Sequence, residues 1–108
     1  MNNLNSVLIE GNFAKDPLIH STPKGTQVCN FSIVSKRYYH QDSKLEMETG
    51  SFDIVAHGII AENIYALGKK GRGVRVVGHL KQERWQSDEG KEMGRIIIVA
   101  EHVEYRRI

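Results

Sequence analysis

Apolar and polar residues alternate in several segments of this sequence, and one segment has a helical period instead. In the segment 28–33 every second residue is apolar. Side chains of a strand point to opposite faces in turn, so this pattern predicts strands with one buried face. Within 59–68 the apolar residues Ile60, Ile64 and Leu67 recur instead at helical spacing. The chain is therefore expected to be mostly strand with one short helix.

Five strands are predicted, each bounded by turn residues. They cover residues 4–13, 26–39, 51–57, 73–85 and 95–105. The helix at 59–68 lies between the third and fourth strands, and Gly68 occupies its expected C-cap. The residues Asp88–Lys91 predict a tight hairpin turn, whereas the polar stretch His40–Thr49 predicts a long hairpin loop.

This order of elements limits the architecture. A small antiparallel sheet has to close or be covered, because its edges otherwise stay unpaired. Five strands with a helix between the third and fourth match the Greek-key barrel of the OB-fold, whose outer face and loops commonly bind oligonucleotides. We therefore predict one all-β domain over residues 1–108. The run Ile96–Ala100 is apolar on both faces, which suggests that a partner subunit covers one of them.

Several functional classes are excluded by what the 108 residues contain. The single Cys29 excludes an internal disulfide, and its strand parity predicts a buried, inert thiol. No metal-ligand spacing links the five histidines, which are His20, His40, His57, His79 and His102. No run is long enough to span a membrane, and the N-terminus carries no export signal. We predict neither an enzyme nor a cofactor.

The net charge of +2 is less informative than where the charges lie. Basic residues concentrate between positions 69 and 84, as Lys69, Lys70, Arg72, Arg75, Lys81 and Arg84. The glycines at 68–73 do not form a phosphate-binding P-loop, because a strand follows and no Ser or Thr is in place. A basic stretch of this kind fits a polyanionic partner, and it also fits a solvated strand edge.

Aromatic residues stand at the ends of two predicted strands. Tyr38 and Tyr39 follow Lys36 and Arg37, and Trp85 has the parity of the basic rather than the apolar residues of its strand. Aromatic rings beside positive charges suit single-stranded nucleic acid, since base stacking contributes ~1–3 kcal/mol per base and tolerates any sequence. The alternative is that these rings pack in a subunit interface or against a hairpin stem.

A series of short motifs spans nearly the whole chain, from Asn5 to Tyr105. Their order is Val7–Phe13 with Asp16-Pro17, Thr22–Gly25 before Val28–Ser32, Ile54–Gly58 with Ala61-Glu62, Lys70-Gly71 leading to Val77–Leu80, and Arg84-Trp85 ahead of Gly90-Lys91. Together they resemble the single-stranded DNA-binding proteins of bacterial type. The resemblance implies an OB-fold, assembly as a homotetramer, a cytoplasmic location, and binding of single-stranded DNA during replication, repair and recombination with little sequence preference.

The resemblance also implies residue roles. Tyr39, Trp85 and His57 occupy stacking positions, with Tyr38 as a substitute because Tyr39 has the parity of the core. Backbone contacts are implied for Lys69, Lys70, Lys81 and Arg84, and Lys36, Arg37, Arg72 and Arg75 are predicted to join them. The sequence departs from the family pattern at Ser51, which is not aromatic, and at Asp53, Ile59 and Glu83, which are not basic. Fewer stacking partners than usual are therefore expected.

Two rival interpretations remain open. One is an OB-fold adaptor of the primosome type, acting as a dimer through protein contacts; the other is an OB-fold that binds RNA or oligosaccharide. Members of the resembled family usually continue into a tail that recruits replication and repair proteins. The sequence here ends at Arg106-Arg107-Ile108, so such recruitment is expected only through a tail outside it.

Overall fold

A computed structural model describes residues 1–107; Ile108 lies outside the described residues. The elements are β1 (Val7–Phe13), β2 (Leu18–Ser21), β3 (Gln27–Gln41), β4 (Lys44–His57), α1 (Ile59–Leu67), β5 (Gly73–Gln86) and β6 (Glu92–Tyr105). The four-residue β2 was not predicted. None of the described residues forms a helix long and apolar enough to cross a membrane.

The five long strands close into a barrel. They follow the order β1-β5-β6-β4-β3, and β1 returns to β3 through Asn12 and Phe13. The pairing of β4 with β6 is parallel and the other pairings are antiparallel. Helix α1 lies between β4 and β5. The predicted five-stranded Greek-key barrel with one helix is therefore confirmed.

The barrel core contains the apolar faces that the alternation predicted. Each strand of the barrel contributes to it, and Ala61 and Ile64 of α1 complete it. Its fully buried side chains include Phe13, Ile33, Ile54, Val74 and Val76. Burial of such side chains contributes about 1.5–3 kcal/mol each, so the core supplies most of the stabilisation of the fold.

The predicted loop at His40–Thr49 is wrong. The residues 44–49 extend β4 and pair with 36–41 of β3, so that only Asp42 and Ser43 form the turn. Both turn residues have positive φ, 52° and 65°, as in the two-residue turns that join twisted hairpins. The arm projects beyond the core and is exposed on both faces, with Tyr39 half-buried. Because both faces are exposed, the segment 40–49 is mostly polar, and the loop prediction missed the short alternation of Leu45 and Met47 with charged residues.

A second arm is formed by β5 and β6. Its turn contains Gly90, whose φ is 82°, and the backbone N–H of Ser87 donates to the carbonyl of Lys91 over 2.9 Å. The tight turn predicted at Asp88–Lys91 is confirmed.

The second apolar face of β6 is covered within the chain. Ile97 is buried against Val28 and Val55, and Val99 packs beside them. This small cluster lies on the side of the sheet away from the barrel core. No partner subunit is needed to bury Ile97, but Ile96 on the core side of the arm is 64% exposed. Of the two faces, a covering subunit is therefore expected on that of Ile96.

Candidate nucleic-acid interface

One continuous surface runs across both arms, and we call it the outer face. Residues paired in a ladder project from the same side of a sheet. Tyr38 of β3 pairs with Met47 of β4. Every second residue of β4 from Met47 to Val55 projects from that same face. Val55 pairs with Val99 of β6, and on the same row of β6 Met93 pairs with Trp85 of β5. Tyr38 and Trp85 therefore project from the same face, through an unbroken set of strand pairings.

Trp85 lies on the surface rather than in the core. Its side chain is 46% exposed, and it stands opposite Met93 close to the β5–β6 turn. A shallow depression of about 240 Å³ is formed there by Arg84, Trp85, Gln86, Glu92 and Met93. An indole in this position is able to stack on a flat ligand ring.

The two neighbouring tyrosines project to opposite sides. Tyr38 is 62% exposed on the outer face. Tyr39 has the core parity, and the guanidinium of Arg37 lies 5.2 Å from the centroid of its ring. Arg37 also donates through Nη1 to Glu48 Oε1 over 3.1 Å. Arg37 therefore occupies a face of the Tyr39 ring, while Tyr38 projects freely from the outer face.

Two of the predicted basic residues accompany the rings on the outer face. Lys36 pairs with Thr49 and Lys81 pairs with Ile97, and both lysines are exposed. His57, at the end of β4, is also exposed on this face and pairs with Val28. Arg84 pairs with Gly94 on the opposite side of its arm, and its Nη2 donates to Gln82 Oε1 over 2.8 Å.

Two other predicted basic residues have partners within the chain. Arg75 forms ion pairs with Glu10 at 3.3 Å and with Glu104 at 3.8 Å. Arg72 donates through Nη1 to the carbonyl of Leu67 over 2.6 Å and through Nε to that of Arg106 over 2.9 Å. Arg72 therefore joins the end of α1 to the end of β6.

Lys69 and Lys70 lie far from the tryptophan. Both are exposed in the connection that follows α1, where the backbone N–H of Lys70 donates to Asp16 Oδ1 over 2.8 Å. This connection leads into the first residue of β5, whereas Trp85 is close to the last. Twelve residues of strand correspond to about 40 Å. The predicted basic residues thus do not form one cluster.

The centre of the outer face contains a groove that was not predicted. It has a volume of about 250 Å³ and is lined by residues of five strands, β2 to β6, and by Lys15. Arg95 stands there between two carboxylates, with its Nε 2.9 Å from Glu83 Oε1 and its Nη1 3.9 Å from Asp53 Oδ2. Ser32 donates to Asp53 Oδ1 over 2.7 Å. The register of the β5–β6 hairpin, which the Asp88–Lys91 turn determines, could have predicted that Glu83 faces Arg95.

The titratable groups in or near the core have shifted pKa values. Burial raises the pKa of the Cys29 thiol to about 11. Burial also raises the pKa of Tyr105, to about 12, although Arg72 opposes the shift. Hydrogen bonding from Arg106 lowers the pKa of Glu10, and Arg75 adds to the effect. Among residues 1–107 no group of three potential metal ligands comes together.

Comparison with known proteins gives concordant results. A family model described as "Single-strand binding protein family" matches residues 4–106. A single-stranded DNA-binding protein of Aquifex aeolicus is 39% identical over 101 residues, which is 93% of this chain and 68% of that protein. The single-stranded DNA-binding protein 2 of Chlorobaculum tepidum is 31% identical over 107 residues, which is 97% of this chain and 72% of that protein.

Two solved structures share the fold. The SSB of Plasmodium falciparum in complex with ssDNA superposes with a TM-score of 0.90 at 21% identity, covering 99% of this chain and 98% of that chain. A deletion mutant of the single-stranded DNA binding protein from Thermus aquaticus gives 0.86 at 22% identity, covering 96% of this chain and 51% of that chain. The predicted OB-fold is confirmed.

Proposed function

The chain belongs to the single-strand binding protein family, and from that premise we propose that it binds and protects single-stranded DNA in replication, repair and recombination. The family consists of non-enzymatic binding proteins. Recognition without sequence preference requires contacts to the phosphates and to the flat faces of the bases, which every nucleotide offers.

The observation that carries the proposal is the joint exposure of Tyr38 and Trp85 on the outer face. Bases stack on the two rings, and Lys36 and Lys81 attract the phosphates between them. His57 offers a smaller ring on the same face. Lys69 and Lys70 extend the basic path beyond the arms. Arg84 contacts single-stranded DNA that wraps around the second arm.

Four predicted site residues have a weaker part in this mechanism. Arg75 is neutralised by Glu10 and Glu104, and Arg72 is engaged by backbone carbonyls. Arg37 and Tyr39 stack on each other on the opposite side of the first arm. We therefore assign the direct contacts first to Tyr38, Trp85, Lys36 and Lys81.

The test is a titration with oligo-dT followed by Trp85 fluorescence. We expect quenching at low salt, and a plot of log K against log salt with a slope of about −0.7 for each phosphate contacted. Because Trp85 is the only tryptophan, the signal reports on the proposed site directly. Absence of both quenching and a mobility shift at low salt would overturn the proposal. Equal-length RNA and oligosaccharide serve as competitors, and stronger binding of either would favour the rival OB-fold interpretation.

We further propose that the protein acts as a homotetramer in the cytoplasm, as its family membership suggests. The strand β1 supports self-association, since between Val7 and Gly11 its edge away from β5 has no strand partner among residues 1–107. Leu8 on this edge is 70% exposed. A cleft of about 330 Å³ between Val7, Ile9, Phe52, Leu80 and Ile96 opens beside it. A second copy of the chain that pairs along β1 would cover both Leu8 and this cleft.

Sedimentation measurements test the assembly. Four subunits support the proposal, two favour the dimeric adaptor of the primosome type, and one overturns both. Leu8→Lys is expected to weaken association, because a charge at a buried edge is costly to desolvate. Leu18→Lys on the short edge strand β2 is the matched control and should leave the subunit number unchanged.

A further inference from the structure

The groove at the centre of the outer face contains a charge arrangement that the proposed function does not explain. Arg95 is exposed and positioned to meet a phosphate, yet it lies between Glu83 and Asp53. The three side chains together carry a net charge of −1. On β5 the outer-face order is Lys81, Glu83, Trp85. Glu83 thus stands between the lysine and the tryptophan that the DNA contacts.

We propose that Glu83 and Asp53 withhold Arg95 from DNA and so lower the affinity of the outer face for single strands. This inference rests on the proposed function and specifies which residues set its strength. Successive outer-face residues of a strand are about 7 Å apart, within the ~8–10 Å over which charges act at physiological salt. A phosphate that passes from Lys81 towards Trp85 therefore experiences the carboxylate of Glu83.

The arrangement is held in place by specific contacts. Arg95 pairs with Glu83 directly across the β5–β6 ladder, and the Oγ of Ser32 holds Asp53 from the neighbouring strand. The floor of the groove is apolar, formed by Val55 and Ile97. Bases can therefore cross the groove on its floor, while the phosphates are contacted at its two sides. Binding in two weakly coupled segments permits faster exchange than an unbroken basic path would.

The experiment compares oligo-dT binding by the native protein and by the Asp53→Asn, Glu83→Gln double variant. We expect affinity to rise about tenfold near 0.1 M salt, with a salt slope steeper by about 0.7 for each new phosphate contact. Adding Arg95→Gln to the double variant should remove most of the gain. All three side chains are at least one third exposed, so folding is not at risk.

The control variant is Glu62→Gln with Glu46→Gln, which changes the net charge equally on the helix and on the side of the first arm opposite the outer face. Its affinity should change less than twofold. An unchanged affinity in the groove variant, or an equal gain in the control, would overturn the inference while leaving DNA binding intact. A gain that survives the loss of Arg95 in full would show that the carboxylates act only by repelling phosphate, and it would also overturn the inference. Absence of binding by the native protein would instead refute the proposed function.

Discussion

Tyr38 and Trp85 project from one face of a single sheet, each near the free end of a different hairpin arm. Strand pairing from β3 through β4 and β6 to β5 connects them. Both arms extend beyond the closed barrel, so neither ring is fixed by the core. The outer face therefore carries two exposed aromatic rings separated by a groove, rather than one continuous aromatic surface.

Tyr38→Ala should weaken oligo-dT binding far more than Tyr39→Ala. Loss of one stacked base costs about 1–3 kcal/mol, which corresponds to a fall in affinity of roughly 5- to 150-fold. Tyr39 is on the opposite side of the arm and is covered by Arg37, so its removal should change affinity less than about twofold. Fluorescence titration of Trp85 measures both. The reverse order of effects would place the DNA on the other side of the arm.

Gly68→Ala should destabilise the protein, because an added Cβ would come within 2.7 Å of the Phe13 ring and of the Ile64 carbonyl oxygen. We expect a loss of about 1–3 kcal/mol in the free energy of unfolding, measured with urea. Gly94→Ala is the matched control. Its nearest neighbour would be the Glu83 carbonyl oxygen at 3.5 Å, so its effect should stay within about 0.5 kcal/mol. Equal losses in the two variants would contradict the packing explanation.

Arg72→Met and Lys70→Met should separate a structural role from a binding role. Arg72 makes two hydrogen bonds to carbonyls and lies 5.3 Å from the centroid of the Tyr105 ring. Its loss should lower the free energy of unfolding by about 2 kcal/mol. Lys70 uses only its backbone in a hydrogen bond, which methionine retains. Lys70→Met should therefore preserve stability and reduce the salt slope for oligo-dT by about 0.7.

The prediction is contradicted if the two variants lose the same free energy of unfolding, or if Arg72→Met alone changes the salt slope. Urea unfolding and DNA titration at several salt concentrations distinguish these outcomes, since each variant is measured by both methods.

The barrel could be predicted from the sequence because every core strand has one buried face, and burial imposes a period of two residues. The first arm could not be predicted in the same way. In the segment Lys44–Thr49 only Leu45 and Met47 alternate with polar residues and both are exposed, and the Asp42-Ser43 turn lacks the usual glycine. β2 is short and lies on an edge, where few of its side chains are buried.

The residue types of the candidate site could be predicted from the sequence. Their positions relative to one another, and their partners, could be predicted only in part. Strand parity predicted that Trp85 lies on the outer face and that Tyr39 lies on the core side. The strand pairing agrees with both predictions. The partners of Arg72 and Arg75 come from distant parts of the chain, which no local pattern contains. The contact of Arg95 with Asp53 could not be predicted, because it depends on the parallel pairing of β4 with β6, which are distant in the sequence.

Cys29 should be unreactive in the folded protein. The thiol is fully buried, and its pKa is raised from 9.0 to about 11 by desolvation. At pH 8 iodoacetamide should label it only after denaturation, since alkylation requires the exposed thiolate. Labelling of the native protein at the rate of the unfolded chain would contradict the burial.

The same shift predicts how stability depends on alkaline pH. Folding favours the protonated thiol, so its contribution is complete below pH 9.0 and is lost as the pH rises through about 11. We expect the free energy of unfolding to fall by up to about 2 kcal/mol across that interval. Cys29→Ala should flatten most of the curve between pH 9 and 10, since Tyr105, with an ordinary pKa of 10.0 in the unfolded chain, contributes only a small decline there. Tyr105→Phe is the control and should keep the decline, because it leaves the thiol in place. A flat curve for the native protein between pH 9 and 10 would show that Cys29 titrates alike in both states.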